Sequence, residues 1–386
     1  MGTHARLSPS AAARWLTCTA APTLEAQFPD ESSVYADEGS FAHKLAELEA
    51  GKALKLTTAA KYKRAVGGLS KNETYNAEMH ECAKDYADHI KAIFKKEKTK
   101  TSDAFAELEV KLDLSSFIPE GFGTADCIII SDTTLYVIDF KYGKGVKVSA
   151  EGNAQMELYA LGALELYGAL YDIETVSMTI IQPRLGSVET AERKAEDLYT
   201  WAESTVKPAA EAAFNGPGEF CPSEPACRFC KAKGTCPARA QHYVDLFDDT
   251  PEPKTLTAEE AGEILTKAAG MKTWLSDLEA VVFSALMAGE PVSQWKLVEG
   301  KSNRKYTDED KVAKALLKAG LTEEQVYTQK LVTITGVEKL LGKKAATEVL
   351  DGLVEKPEGK PTLAEISDKR NALSITEEMV KAFDEE

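Results

Sequence analysis

The 386-residue sequence contains no apolar run that approaches the roughly 20 residues needed to span a bilayer. Its N-terminus, MGTHARLSPSAAARW, lacks the apolar segment of a secretory signal. Arg6 stands where the myristoylation pattern requires Ser or Thr, so acylation is not expected either. These absences predict a protein that is not attached to a membrane and that is located in the cytoplasm.

The sequence also lacks a positive net charge. Its 46 Lys and Arg residues stand against 62 Asp and Glu residues, which gives a formal net charge of −16. This balance argues against a protein that coats nucleic acid non-specifically, but it leaves room for a local basic groove. Residues 91–100 and the group Lys141, Lys144 and Lys147 are candidates for such a groove, and a solvated surface explains each of them equally well.

Internal repeats and low-complexity tracts are absent, and hydrophobic periodicity sets the order of the elements. After a helical region that ends near residue 100, the segments FAELEVKLDL, GTADCIIIS and TLYVIDFKY predict three strands. A helical run, AEGNAQMELYALGALELYG, and a strand, VSMTIIQPR, follow, and residues 190–215 are predicted to be helical. This order predicts an α/β fold in which helices flank a mixed central sheet.

A segment of linker composition, residues 248–255, divides the chain into two predicted domains. The first is expected to span residues 1–247. Residues 256–386 are predicted to form a second, mainly helical unit, in which Thr322 and Gln325 fit a capping box. Nothing in its composition indicates what this second unit does.

The strand LYVIDF carries one charged residue, Asp139, in an otherwise apolar run. Because residues two apart in a strand share a face, Asp139 and Lys141 are expected to point the same way. A tight turn centred on residues 132–133 would place Asp126 of the preceding strand directly opposite Asp139, with Cβ atoms about 4.5–5.5 Å apart. Facing like charges destabilise a sheet, and a buried carboxylate without a partner is costly.

A divalent cation would offset the repulsion between the two aspartates. Mg²⁺ and Mn²⁺ prefer carboxylate oxygens and leave coordination positions open for a phosphate. Lys141 could then orient or deprotonate an attacking water, or neutralise charge that develops on phosphorus. The simpler alternative is an Asp139–Lys141 ion pair at a sheet edge, with Asp126 merely at the start of a strand.

Three further side chains accompany this pair. Gln155 and Tyr159 lie four residues apart on the next predicted helix, so they share a face and can reach over the end of the sheet. The segment EGSFAHKLAELEAG predicts a helix capped by Ser40 and ended by Gly51, which places His43 near the anion-favouring N-terminus. The ordinary explanations are a structural role for His43 and simple packing of Gln155 against Tyr159.

The order of these motifs, FAHKLAE, GTADCI, VIDFKYGKG and NAQMELYA, resembles the RecB-like branch of the PD-(D/E)xK nuclease superfamily over about residues 8–240. The resemblance implies a restriction-endonuclease-like core and a metal-dependent DNA nuclease, most simply an exonuclease. One departure is Ala125, which stands where the superfamily motif has proline. The roles implied are those of metal ligands for His43, Asp126 and Asp139, of water activation for Lys141, and of DNA-backbone positioning for Gln155 and Tyr159.

Three of the seven cysteines, Cys227, Cys230 and Cys236, lie within ten residues of one another. In a cytoplasmic protein such crowding indicates a metal or a cluster rather than disulfides. Three thiolates are one short of the usual four. Either Cys221 nearby or Cys18 near the N-terminus can supply the fourth, and spacing alone leaves a zinc knuckle with Cys221 open.

The same resemblance favours Cys18. Iron–sulfur nucleases of this branch, such as helicase–nuclease subunits of the AddB kind and the exonucleases of CRISPR adaptation, take one cysteine from before the nuclease core and three from after it. This implies a [4Fe–4S] cluster, with Zn²⁺ as the alternative, on Cys18, Cys227, Cys230 and Cys236, and it leaves Cys221 a free thiol. Closing a loop of about 200 residues would remove something near 5 kcal/mol of denatured-state entropy.

The opening segments LSPSAAARWLTCTAAPTLEAQFPD and YADEGSFAHKLAE also resemble a family of phage and prophage proteins of unassigned function. This likeness implies a role in phage recombination or DNA processing, with DNA and a recombinase, an annealing protein or a helicase as candidate partners, and it adds no catalytic detail. The alternatives are a nuclease fold that has lost activity and only binds DNA, and a zinc-bound structural adaptor that needs only the cysteine loop. The intact set Asp126, Asp139 and Lys141 favours an enzyme, and the oligomeric state stays open.

Overall fold

The computed structural model describes residues 5–29, 34–245, 262, 264, 266, 268, 270–300, 302, 304–327, 331–355, 361–365 and 370–372. The chain divides into two compact units, Met1–Gly270 and Met271–Glu386. The predicted linker at residues 248–255 lies outside the described residues.

A five-stranded sheet forms the centre of the first unit, and its strands lie side by side in chain order. Neighbouring strands are antiparallel except for the third and fourth, which are parallel. The prediction of a mixed central sheet is therefore confirmed. The strands are β1 (Phe105–Asp113), β2 (Phe122–Ser131), β3 (Thr134–Phe140), β4 (Thr175–Gln182) and β5 (Ser187–Lys194).

Helices cover both faces of this sheet, as the sequence predicts. The principal ones are α3, α5 and α6, and shorter helices precede and follow them. The helices of the first unit are α1 (Ala12–Thr17), α2 (Ala21–Glu25), α3 (Val34–Ala53), α4 (Ala59–Leu69), α5 (Ala77–Lys100), α6 (Ala154–Tyr167), α7 (Ala195–Trp201), α8 (Lys207–Asn215), α9 (Glu224–Cys227) and α10 (Pro237–Asp245).

Side chains along β2 and β3 alternate between the two faces of the sheet, so each strand contributes to the apolar clusters on both faces. Ile128 and Val137 belong to the core cluster that contains α6, whereas Ile129 and Ile138 belong to the cluster that contains α3 and α5. Because both faces are covered, these strands carry apolar residues on both sides rather than in alternation with polar ones. The face toward α6 is also the face of residues 139 and 141, since residues two apart share a side with Val137. The alternation breaks at Asp126, because Ala125 belongs to the cluster of α6 and Cys127 to the cluster of α3 and α5.

Two local predictions about helix α3 were wrong. Ser40 does not cap this helix and Gly51 does not end it, because both lie inside its range, Val34–Ala53. Gly51 instead allows a close approach of the following loop: a Cβ at this position would lie 2.8 Å from Oγ1 of Thr57, and Gly51 O accepts the N–H groups of Leu56 and Thr57. The glycine therefore marks a packing contact.

The prediction of a helix over residues 190–215 was wrong at its beginning. Residues up to Lys194 belong to β5, an edge strand, and helix α7 begins at Ala195. Only Ala191 is buried along β5, so the strand lacks the apolar alternation by which half-buried strands are recognised. A π-helical turn, Ala202–Val206, separates α7 from α8.

The second unit contains helices and, in addition, two antiparallel two-stranded sheets that the sequence analysis did not predict. The capping box of Thr322 and Gln325 is confirmed. No helix in the described part of either unit has the length and apolar character needed to span a bilayer. The elements of this unit are α11 (Met271–Met287), β6 (Trp295–Glu299), β7 (Lys305–Tyr306), α12 (Glu309–Lys318), α13 (Glu323–Val326), α14 (Ile334–Leu341), α15 (Lys343–Val349), β8 (Val354–Glu355) and β9 (Pro361–Glu365).

Candidate active site and cysteine cavity

The hairpin of β2 and β3 carries both aspartates of the candidate site. Its strands meet through a two-residue turn at residues 132–133, and the ladder runs from there to the pair Cys127–Ile138. The register predicted from the turn is thus confirmed from Ser131–Thr134 to Cys127–Ile138. Asp126 and Asp139 lie one residue beyond the last pair of this ladder.

Both carboxylate oxygens of Asp126 have partners. Oδ1 lies 3.1 Å from Nδ1 of His43, and Oδ2 accepts a hydrogen bond of 2.7 Å from the backbone N–H of Phe140. The second contact satisfies that N–H group where the backbone ladder between β2 and β3 stops. The carboxylate of Asp126 is therefore fixed in orientation at the end of the hairpin.

Asp139 is the most deeply buried charged side chain of the site, with 3% of its surface exposed. Its Oδ2 accepts no hydrogen bond among the described residues, although Nζ of Lys141 lies 3.1 Å away as an ion-pair partner. Burial raises the pKa of Asp139 above its ordinary value; Lys141 opposes this shift and the like charge of Asp126 adds to it. One lysine thus does not fully compensate this carboxylate.

Lys141 bridges the sheet and helix α6. Its Nζ donates to Oδ1 of Asp139 at 3.3 Å and to Oε1 of Gln155 at 3.1 Å. Burial lowers the pKa of Lys141, but the carboxylates of Asp139 and Asp126 outweigh this effect, so the pKa is raised. The side chain is held as an ammonium ion, which suits the orientation of a water or the neutralisation of anionic charge better than the removal of a proton.

Gln155 and Tyr159 lie on helix α6, whose N-terminus is capped by the side chain of Asn153. The amide of Gln155 donates to the hydroxyl of Tyr159 at 3.1 Å and approaches Oδ1 of Asp139 at 3.5 Å. Since the partner of Lys141 is the amide oxygen of the same side chain, one glutamine links the lysine to the tyrosine. The predicted shared face of residues 155 and 159 therefore meets the hairpin.

His43 reaches the site from the middle of helix α3, not from an N-terminus as predicted. Its ring packs edge-on against Phe140, with 5.4 Å between ring centroids. Burial lowers the pKa of His43, whereas the charge and hydrogen bond of Asp126 raise it, and the net shift is upward. Contact with Asp126, rather than the field of a helix end, is what positions this imidazole.

The structure adds one acidic residue that the sequence analysis missed. Glu109 of β1 lies between the pairs Leu108–Cys127 and Val110–Ala125, opposite Asp126, and its backbone is left-handed, with φ +51°. Burial and the neighbouring carboxylates, Asp126 first, raise the pKa of Glu109 to about 7. No sequence signal could have located this residue, because the loop between β1 and β2 leaves their register open and the left-handed backbone of Glu109 has no sequence signature.

The donors of this site suit Mg²⁺ or Mn²⁺ by their type. They are the carboxylates of Asp126 and Asp139 and the imidazole of His43, and Oδ2 of Asp139 is a buried oxygen that accepts no hydrogen bond from any described residue. As they stand, no three His, Cys, Asp or Glu side chains within the described residues converge closely enough to hold an ion. These residues therefore fit a divalent ion by the type and the burial of their donor atoms, and not by their present distances.

Five cysteines from the two ends of the first unit line one small cavity. Cys18 is buried on the N-terminal side, and the backbone N–H of Cys221 donates to its sulfur at 3.5 Å. The sequence separation of these two residues is 203. The cysteines that line the cavity are Cys18, Cys221, Cys227, Cys230 and Cys236.

Thiolates are soft ligands, so the type of donor suits a thiophilic metal group. As they stand, no three Cys, His, Asp or Glu side chains in the described part of the chain converge closely enough to hold an ion. The cavity has a volume of about 20 Å³, the room of a single water, and a four-iron cluster needs more room than this. Burial raises the pKa of Cys230 to about 11 and also raises that of Cys227. A metal would have to displace these protons, which makes its binding pH-dependent.

Together, fold and site define a mixed α/β protein in which a buried aspartate–lysine pair, a second aspartate and a histidine meet at the end of a hairpin. A family profile described as "Protein of unknown function (DUF2800)" matches residues 4–371, and the chain belongs to this family. A solved structure titled "Crystal structure of SSO0001" is 16% identical, with a TM-score of 0.20 over 58% of this chain and 95% of that chain. A score this low does not show a shared fold.

Proposed function

We propose that the protein is a Mg²⁺- or Mn²⁺-dependent deoxyribonuclease of the cytoplasm, which digests phage or prophage DNA from its ends during recombination. The observation that supports this proposal is the buried Asp139, whose Oδ2 accepts no hydrogen bond from the described residues and whose pKa is raised by burial and, in addition, by the like charge of Asp126. Two like charges at the end of a hairpin are costly unless a cation joins them. A PD-(D/E)xK-type nuclease core accounts for this arrangement.

The proposal gives each side chain of the site a role. Asp126, Asp139 and His43 hold the divalent ion, which would lower the pKa of a bound water and polarise a phosphate oxygen. Lys141, held by Asp139 and by Gln155, keeps its positive charge beside the reacting phosphate and neutralises negative charge in the transition state. Gln155 fixes Lys141 and contacts Tyr159, so that both can position the DNA backbone.

A [4Fe–4S] cluster bound by Cys18, Cys227, Cys230 and Cys236 is part of this proposal, with a structural role. Support comes from the single cavity that all four thiols line. The cluster would join the N-terminal helices to the segment that follows the sheet. Anaerobic purification followed by analysis of iron, acid-labile sulfide and zinc tests this part of the proposal. A brown protein with iron and sulfide is expected. A colourless protein with stoichiometric zinc would show that Zn²⁺ is bound instead of the cluster.

The decisive experiment is digestion of end-labelled single- and double-stranded DNA with Mg²⁺ or Mn²⁺. Wild-type protein is expected to release labelled products, whereas Asp139→Asn should be slower by about 100-fold or more, because the change removes charge from the metal ligand without changing its shape. Asp132→Asn, in the turn of the same hairpin, is the matched control and should retain full activity. Closed circular DNA should resist digestion if the enzyme requires ends.

Two outcomes would refute the nuclease. One is the absence of digestion by the wild type with either metal and every DNA form; the other is undiminished digestion by Asp139→Asn. If the first occurs while DNA is still bound, the alternative function applies: an inactive nuclease fold that supplies DNA contact to a recombinase, an annealing protein or a helicase.

A further inference from the structure

Residues 50–72, a stretch that includes helix α4, contain no Asp or Glu, although the whole chain has a formal net charge of −16. The stretch carries six basic residues. One of them, Lys52, is paired: its Nζ lies 3.7 Å from a carboxylate oxygen of Glu49 and 4.2 Å from the centroid of the Tyr62 ring. Their positive charge is available to an anionic partner in the other five, which are exposed and form no ion pair with any described residue: Lys55, Lys61, Lys63, Arg64 and Lys71.

Helix α4 turns its apolar side toward the body of the first unit and its charges toward solvent. Its half-buried residues recur at the spacing of one helix face; they are Tyr62, Ala65, Val66 and Leu69. Leu69 packs against the apolar cluster of α3 and α5. The exposed positions between these residues include Lys61, Lys63 and Arg64, so the outer side of the helix is basic.

Polar contacts fix this helix in place. The hydroxyl of Tyr62 donates to Oε1 of the buried Glu49 on α3, and the side chain of Thr58 caps α4 by accepting the backbone N–H of Lys61 at 3.3 Å. The same oxygen of Glu49 lies 2.6 Å from Nε2 of His80 on α5. Helix α4 is therefore joined to both helices that cover this face of the sheet, and its outer cations stand on a fixed support.

The basic stretch begins near the candidate active site. His43 and Gly51 are eight residues apart on α3, a distance of about 12 Å at 1.5 Å per residue. A surface cavity of about 300 Å³ follows, and its lining includes Gly51, Lys61 and Leu108, the residue of β1 that precedes Glu109. One DNA strand covers about 12 Å with three to four nucleotides at roughly 3.4 Å each, so DNA held at α4 can also enter the site.

Exposed lysines are common on protein surfaces and need no explanation by themselves. Here unpaired cations are concentrated on one anchored helix and its flanks, in a chain of net charge −16. The net charge and the carboxylates of the candidate site both repel a polyanion, so a nuclease of this composition needs a local surface that attracts its substrate. Cations that meet the phosphates of DNA release counterions, which supplies that attraction.

We propose that the outer side of helix α4 and its flanking lysines bind the phosphate backbone of DNA and lead it to the candidate active site. This surface, named here the α4 surface, consists of Lys55, Lys61, Lys63, Arg64 and Lys71. The inference rests on the proposed nuclease function and deepens it, because it names residues that hold the substrate away from the reacting phosphate. Phosphate contacts carry no sequence information, so binding should not depend on base sequence.

Binding is measured in full-length protein carrying Asp139→Asn, so that the DNA stays intact. The probe is a short fluorescent duplex with blunt ends, and its dissociation constant is recorded over a series of salt concentrations. Each lost phosphate contact should reduce the slope of log K against log salt by about 0.9. Lys61→Gln, Lys63→Gln and Arg64→Gln together should therefore reduce it by about 2 to 3 and weaken binding by about 10- to 100-fold.

The C-terminal part of α5 supplies the matched control, from a stretch that the sequence analysis named for a basic groove. It leads into the end of β1 that pairs with Ile130, and Asp126 lies four residues away along β2, about 13 Å at 3.3 Å per residue. Lys91→Gln, Lys95→Gln and Lys96→Gln together also remove three exposed charges. They should leave the affinity and the salt slope unchanged.

Two further variants separate the loss of charge from a loss of folding. Lys61→Arg with Lys63→Arg keeps both charges and should bind DNA as the parent does. Gln forms helices about as well as Lys and Arg, so the triple variant should keep α4 folded, and its melting temperature checks this. If the triple variant melts below the parent, Arg64→Gln alone decides, because it should still reduce the salt slope by about 0.9.

An unchanged salt slope in the α4 triple variant would overturn the proposal, and so would an equal loss in the α5 triple variant or no DNA binding by the parent. Digestion by protein that keeps Asp139 separates this outcome from the nuclease. There the α4 triple variant should raise KM and leave kcat nearly unchanged, because its cations do not touch the reacting phosphate. Digestion with unchanged KM and salt slope would leave the nuclease standing and remove the α4 surface, and a reduced slope without digestion by the wild type would do the reverse.

Discussion

Nδ1 of His43 lies 3.1 Å from Oδ1 of Asp126, although their sequence separation is 83. Helix α3 and strand β2 share one apolar cluster, in which Leu45 and Ile129 both take part, and this packing brings the imidazole to the end of the hairpin. The contact joins a helical histidine to a strand aspartate. It thereby completes a donor set that the hairpin alone does not provide.

Replacing this histidine should weaken metal binding more than it slows the reaction. His43→Gln is expected to raise the Mn²⁺ concentration for half-maximal digestion by about 10- to 100-fold, a loss typical even of outer-shell partners, while saturating Mn²⁺ recovers most of the rate. His89→Gln is the control, because His89 is exposed on α5 and its Nδ1 lies 2.7 Å from the backbone oxygen of Asp85. Equal Mn²⁺ requirements in the two variants would contradict a ligand role.

Metal binding should also be visible in stability, without reference to activity. Free Mn²⁺ at 100 times its dissociation constant should add about 2.7 kcal/mol to the free energy of unfolding. The gain should be absent in Asp126→Asn, which loses a charged ligand, and present in Asp132→Asn, in the turn of the same hairpin. Melting curves with and without Mn²⁺ measure it. An increase of equal size in Asp126→Asn would show that the ion binds elsewhere.

The cysteine cavity predicts different effects for two neighbouring thiols. Cys18→Ala should release the metal group and lower the free energy of unfolding by as much as about 5 kcal/mol, because a chain closure of about 200 residues is lost. Cys221→Ala should retain the metal, since the contact of Cys221 with Cys18 comes from its backbone N–H, which alanine keeps. Metal analysis and denaturant unfolding check this. Metal loss in Cys221→Ala alone would make Cys221 the fourth ligand.

A buried carboxylate apart from both sites should control stability in acid. Glu49 of α3 is 4% exposed; it accepts a hydrogen bond from the hydroxyl of Tyr62, and its Oε1 lies 2.6 Å from Nε2 of His80. Burial opposes ionisation of Glu49, but the hydrogen bonds from Tyr62 and His80 outweigh it, so the pKa of Glu49 lies below its ordinary value of 4.5. A depressed pKa means that ionised Glu49 stabilises the folded state.

That contribution is complete above the ordinary glutamate pKa and is lost as the pH falls through the lower pKa of the folded state. Glu49→Gln should therefore reduce the melting temperature near neutral pH and flatten its decline between about pH 5 and pH 3. Glu81→Gln, on the exposed surface of α5, should follow the wild-type curve. If the melting temperatures of wild type and Glu49→Gln declined in parallel as the pH falls, this assignment would be refuted.

Local sequence information was sufficient for the hairpin. A two-residue turn fixes the pairs from Ser131–Thr134 to Cys127–Ile138, and the period of two places Asp139 and Lys141 on one face. The period does not extend through Asp126, because Ala125 and Cys127 belong to different clusters. The same information failed for β5, whose edge position leaves a single buried residue and no periodic signal. It also failed for helix α3, where Gly51 serves a contact with the next loop.

The sequence by itself determined what depends on neighbours along the chain: strands β1 to β4, the turn, the shared face of Gln155 and Tyr159, and the crowding of three cysteines. Only the tertiary structure decided what depends on packing. It brought His43 to Asp126, Glu109 to the same carboxylate, and Cys18 to the cavity of the distant cysteines. The reason is physical: such contacts follow from the burial of two apolar faces against one sheet, and no local period encodes which distant side chains that burial brings together.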